Sequence, residues 1–96
     1  MWVLRTEDGA SSPLSYRILP GHVKTMGRAP AADFIVETSL VSRLHCRLTA
    51  GAAELEVVDL DSTNGTFVNG QRIDRAALQA GDRLGVGAVQ LVVSRG

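Results

Sequence analysis

Turn signals interrupt this chain about every ten residues, and no apolar run between them exceeds five residues. The punctuation falls at Pro20–Gly21, Gly27, Pro30, Gly51, Asn64–Gly65, Asn69–Gly70, Gly81 and Gly87. The intervening runs have strand length, and several are rich in β-branched residues. Their side chains alternate with the period of two that an extended chain imposes. In "ELEVVD", Leu55 and Val57 face opposite Glu54, Glu56 and Val58. In "HCRLTA", Cys46, Leu48 and Ala50 face opposite His45, Arg47 and Thr49, and in "AVQLVV" Val89, Leu91 and Val93 share a side. Only "DRAALQA", 74–80, could be helical, and it is too short to matter alone. The expectation is an all-β sandwich or barrel, with function in the polar loops 27–33, 37–44 and 61–65 at one end.

Ninety-six residues suit a single domain, 1–96, with a core spanning about 2–93. Ten basic and ten acidic residues give a formal net charge of zero, which argues against nucleic acid or a membrane surface as the main partner. Nine of the ten basic residues are arginine, and a guanidinium is a flat fork of donors suited to carboxylate or phosphate. One cysteine, Cys46, excludes an internal disulfide and fits a reducing compartment. No apolar run approaches membrane-spanning length, and "MWVLRTEDGA" lacks the regions of a signal peptide. These features together imply a cytoplasmic or cytosol-facing protein.

Three short groups could carry chemistry. Gly27–Arg28 follows a strand directly: the glycine permits a close backbone approach, and the arginine projects from a rigid end, unless it simply pairs with Asp33 or Glu37. Ser42–Arg43–Leu44–His45 opens the next strand. Read as extended, it puts Ser42 on the opposite side from Arg43 and His45, and His45 reads as a hydrogen-bonded residue fastening the loop rather than a base. Thr63–Asn64–Gly65 offers a turn in which the asparagine tolerates left-handed geometry and presents both a donor and an acceptor.

Taken in order, Gly27–Arg28, Ser42-x-x-His45 and "DSTNGTFVNG" (61–70) resemble the forkhead-associated (FHA) domain family. "ADFIVETSLVSRLH" (32–45) and "LQAGDRLGVG" (78–87) extend the resemblance to nearly the whole chain. It implies an FHA-type β-sandwich of about eleven mostly antiparallel strands, with binding loops at one end. It also implies a module that binds phosphothreonine-containing proteins or peptides in Ser/Thr kinase signalling. On that resemblance Arg28 grips the phosphate and Ser42 donates its hydroxyl. Arg43 adds positive charge, Thr63 lines the site, and Asn64 bonds the peptide backbone. Gly27, His45 and Gly65 shape the loops. Leu40 and Val41, just before Ser42, are the candidate specificity residues and favour an apolar or neutral peptide residue. Asn69–Gly70 is a hairpin turn, distinct in purpose from Asn64–Gly65.

The competing readings are weaker. An enzyme would need a nucleophile and base, but no Gly-x-Ser-x-Gly elbow is present, and Cys46 lies on an apolar face. Gly85–Val86–Gly87 lacks the rest of a dinucleotide fingerprint. His22, His45 and one cysteine make no metal pattern. The expectation is therefore a non-enzymatic, monomeric module with neither cofactor nor metal. The alternative that survives is a phospho-independent interaction scaffold of the same fold.

Overall fold

The computed structural model describes residues 1–7 and 13–96. Its strands are β1 (Trp2–Thr6), β2 (Ser15–Ile18), β3 (Val23–Gly27), β4 (Phe34–Ile35), β5 (Cys46–Ala50), β6 (Leu55–Asp59), β7 (Thr66–Val68), β8 (Gln71–Ile73), β9 (Arg75–Leu78), β10 (Arg83–Val86) and β11 (Val89–Arg95). They form two sheets, ordered β2-β1-β11-β10-β7-β8 and β4-β3-β5-β6-β9. All pairings are antiparallel except β3 with β4. The expected all-β sandwich, with its strand number and mostly antiparallel ladders, is borne out. The polar loop after β1 falls partly on residues 8–12, outside the described set.

The alternation read from sequence closes the core. Cys46, Leu48 and Ala50 of β5 and Leu55 and Val57 of β6 face inward. They meet Leu4, Leu84, Leu91 and Val93 from the other sheet in one buried cluster. A fully buried leucine contributes about 1.5–3 kcal/mol by area, so these short strands are held by their shared interior. Trp2 joins the cluster, and its indole N–H donates to the Gly51 carbonyl at 2.9 Å.

Segment 74–80 is not helical. Residues 75–78 form β9, pairing Leu78 with Leu55 and Ala76 with Val57. A seven-residue helix gains too few internal bonds to offset nucleation, whereas the exposed edge of β6 satisfies the β9 backbone at once. Asp74 alone separates β8 from β9, so the chain passes between sheets there. Its carbonyl accepts the Asp59 N–H at 2.8 Å.

Two tight hairpins fix the registers around the candidate site. Asn69 and Gly70, at φ 51° and 84°, turn β7 into β8, the geometry that favours Asn-Gly. Gly87 and Ala88 turn β10 into β11. A Cβ at Gly87 would stand 3.0 Å from Val41 and 3.1 Å from Leu40, so this second turn packs under the β4–β5 loop.

Candidate functional site

Three connections come together: β3–β4, β4–β5 and β6–β7. Gly27 makes the first junction possible. A Cβ there would lie 2.1 Å from the Arg43 carbonyl oxygen, so only glycine admits the β4–β5 loop at that distance. The Arg28 and Ala29 N–H groups donate to the Ser42 and Arg43 carbonyls at 2.9 and 3.1 Å. Arg28 Nε donates to the Val41 carbonyl at 3.1 Å. This orients the exposed guanidinium, and among the described residues its terminal nitrogens have no protein partner. The suggested pairing with Asp33 does not occur. Asp33 instead accepts from the Thr25 N–H and hydroxyl at 2.9 and 3.2 Å, and the backbone N–H above all holds its carboxyl below the usual range.

His45 joins the other two connections. It is completely buried. Its Nδ1 accepts the Ser42 N–H at 3.0 Å, and its Nε2 lies 2.8 Å from the Gly65 carbonyl. Since a backbone N–H can only donate, Nδ1 is the bare nitrogen and Nε2–H donates to Gly65. The extended reading of Ser42–His45 therefore fails locally. The segment bends at Arg43–Leu44 and the strand begins only at Cys46, which brings the imidazole back beneath Ser42. It meets the Ser42 backbone, not the hydroxyl. Ser42 Oγ accepts the Thr63 N–H at 3.0 Å, which leaves its own proton available to a ligand.

Asn64 closes the rim. Its Nδ2 donates to the Leu40 carbonyl at 2.9 Å, fixing the amide so that Oδ1 stays open as an acceptor. Thr63, Asn64, Arg28 and Arg43 are exposed, and Ser42 is half-buried. The two candidate specificity residues part company. Val41 is buried in the core cluster, whereas Leu40 is 49% exposed, and Leu44, later in the same loop, is 45% exposed.

Beneath this rim lies a support that the sequence reading missed. Asp59 Oδ1 accepts from the Ser62 and Thr66 hydroxyls at 2.5 and 2.7 Å, and Oδ2 accepts the Ser62 N–H at 3.2 Å. Ser62 Oγ accepts the Gly65 N–H at 3.0 Å. Burial alone would raise the Asp59 pKa, but the hydrogen bonds from Ser62 and Thr66 outweigh it and hold the carboxyl below its ordinary value. The visible signal was Asp-x-x-Ser, the spacing of a side-chain-stabilised turn. Cys46, next to the site, is buried, and its thiol is pushed up to about 12 by burial and then by the Asp59 charge. It is a packing residue.

Among the described residues no group of three or more His, Cys, Asp or Glu could hold a metal. No helix is long and apolar enough to cross a membrane.

A two-sheet sandwich with glycine-shaped loops carrying unspent donors at one end defines a fold class, and the FHA domain family model matches residues 24–87. The chain belongs to the FHA domain family. It is similar to the ABC transporter ATP-binding/permease protein Rv1747 of Mycobacterium tuberculosis, at 40% identity over 83 residues, which cover 86% of this chain and 10% of that protein. It is also similar to the oxoglutarate dehydrogenase inhibitor of Corynebacterium efficiens, at 39% identity over 72 residues, 75% of this chain and 51% of the relative. The chain thus spans a tenth of the first relative and about half of the second. A solved FHA domain from a structural and functional analysis of phosphothreonine-dependent FHA domain interactions is 28% identical. It superimposes with a TM-score of 0.83 over 99% of this chain and 96% of its own.

Proposed function

We propose that the loop end of this domain binds a phosphothreonine-containing segment of a partner protein. The observation that carries this reading is the set of donors left over after the loops have satisfied one another: the Arg28 terminal nitrogens, the Ser42 proton and the Thr63 hydroxyl. A phosphothreonine presents nearly two negative charges and three acceptor oxygens. Arg28 takes two of those bonds through its fork, Ser42 and Thr63 donate to the remainder, and Arg43 adds a nearby positive charge. Asn64 accepts a peptide N–H through Oδ1. Gly27, His45 and Gly65 hold the geometry without touching ligand. Leu40, with Leu44, gives the flanking peptide an apolar surface. Val41 contributes only through its carbonyl, which steadies Arg28.

The domain acts by binding, not by catalysis. Both ring nitrogens of His45 are committed to backbone groups, so this imidazole does not serve as a base toward the Ser42 hydroxyl. Residues 1–96 serve as one recognition domain, monomeric in isolation, in the cytoplasm where Ser/Thr kinases create its ligands. Family membership and the phosphothreonine-dependent relative support this reading.

The test is titration of degenerate phosphothreonine, phosphoserine and unphosphorylated peptide pools into wild type and Arg28→Ala. Binding of the phosphothreonine pool alone is expected. One charge-assisted bond contributes about 1.5–3 kcal/mol, so the variant should bind at least about tenfold more weakly with its fold intact. Failure of the folded wild type to bind any pool would favour the phospho-independent scaffold.

A further inference from the structure

One guanidinium at this end of the domain has no part in the proposed phosphate contacts. Arg72 lies on β8, opposite Phe67 of β7. Its neighbour Ile73 packs against the core, so Arg72 projects from the outer face of the sheet. Its side chain then leans across onto the β6–β7 loop. A Cβ at Gly65 would stand 2.8 Å from Arg72 Nε and 3.1 Å from Cζ. The planar end of Arg72 therefore lies on the Gly65 backbone, one residue from Asn64. Gly65 is glycine for two reasons: its φ of 90° and the space Arg72 occupies.

Among the described residues this charge has no ion-pair or hydrogen-bond partner. The ion pairs among the described residues are Arg75–Glu56 and Arg83–Glu7. Arg72 is exposed, yet it is positioned by packing, which reduces the freedom a long side chain must lose on binding.

We propose that Arg72 forms a carboxylate subsite that selects an Asp or Glu side chain in the phosphopeptide, on the Asn64 side of the phosphothreonine. The subsite rests on the phosphothreonine reading above. Asn64 holds the peptide backbone there, so the side chain of an adjoining peptide residue comes within reach of the guanidinium. The fork of Arg72 matches a carboxylate in shape and charge. Solvent screens the pair, so the selection is modest and depends on salt.

The test uses phosphothreonine peptides with alanine flanks, in which a single Asp, Asn or Lys is moved through each flanking position. Each is titrated into wild type, Arg72→Ala and Arg72→Glu at low and high salt. At one or two positions wild type should prefer Asp over Lys by about fivefold, and less at high salt. Arg72→Ala should remove this preference and Arg72→Glu should reverse it, while the all-alanine phosphopeptide binds all three proteins within about twofold. An unchanged preference in Arg72→Glu overturns the subsite. So does equal weakening of every peptide, which would make Arg72 a loop-packing residue only. In both cases the phosphothreonine reading stands. If folded wild type binds no phosphopeptide, that reading falls and the subsite falls with it.

Discussion

His45 Nε2 donates to the Gly65 carbonyl at 2.8 Å while Nδ1 accepts the Ser42 N–H at 3.0 Å. One buried ring therefore ties the β4–β5 loop to the β6–β7 loop. His45→Ala removes both bonds, orphans a backbone donor and a backbone acceptor, and leaves a cavity. The expected loss is about 2–4 kcal/mol, measured by urea unfolding, with weaker phosphopeptide binding in the molecules that remain folded. Nitrogen chemical shifts of the wild-type ring should identify the Nε2–H tautomer. The opposite tautomer, or a variant as stable as wild type, would contradict the bracing role.

Gly27 and Gly70 should respond very differently to alanine. At Gly27 the added methyl would meet the Arg43 carbonyl at 2.1 Å, and its nearest neighbours are all backbone atoms of Arg43 and Leu44, which leaves little room to yield. Loss of about 1–3 kcal/mol is expected, together with weaker phosphopeptide binding as the β4–β5 loop is displaced. At Gly70 nothing lies within 4 Å of the new atom. The cost there is left-handed strain alone, about 1–2 kcal/mol, with affinity preserved. Paired melting and binding curves for Gly27→Ala and Gly70→Ala check the contrast.

The legible parts of this structure were those where one residue's neighbours along the chain settle its fate. The period-two pattern in β5 and β6 is such a case: each apolar residue announces its face, and the opposite sheet accepts it. β9 was not legible, because "RAAL" offers two helix-favouring alanines and one leucine, and only the open edge of β6 makes it a strand. Leu40 and Val41 show the same limit in a loop. No periodicity says which of two adjacent apolar residues turns inward, and the choice falls to the Gly87 turn packed beneath them. The roles of Ser42 and Asn64 were suggested by motif, but their ties to Thr63 and Leu40 depend on how three distant loops meet. Arg72 was invisible because its contact with Gly65 depends on hairpin register and on the lean of a long side chain.

Asn64 and Asn69 precede similar glycines and should separate function from folding. Asn69 sits at φ 51°, accepts the Arg83 N–H at 2.9 Å and donates to Asp82 at 3.1 Å. Asn69→Ala should cost about 1–2 kcal/mol of stability and leave phosphopeptide affinity unchanged. Asn64→Ala loses one exposed bond to Leu40, so its stability should fall by less than about 1 kcal/mol, while affinity drops about tenfold or more. Isothermal titration beside thermal melts reads both quantities, and the reverse pattern would refute the division.

Asp59 makes the stability of the site depend on acid. Its folded-state pKa is depressed relative to an unfolded value of about 3.9. The stability it contributes is therefore present in full above that unfolded value. It is lost as pH falls through the lower, folded value, because the protonated carboxyl no longer accepts as a charged group from Ser62 and Thr66. Asp59→Asn keeps the shape but not the charge. At neutral pH the variant should be less stable by about 1–2 kcal/mol, a figure reduced for partial exposure. The difference from wild type should shrink as pH drops below about 4. Urea unfolding of both proteins across the acid range measures it. A difference that stays constant with pH would show that Asp59 supports the loop through shape alone, and that its charge contributes nothing.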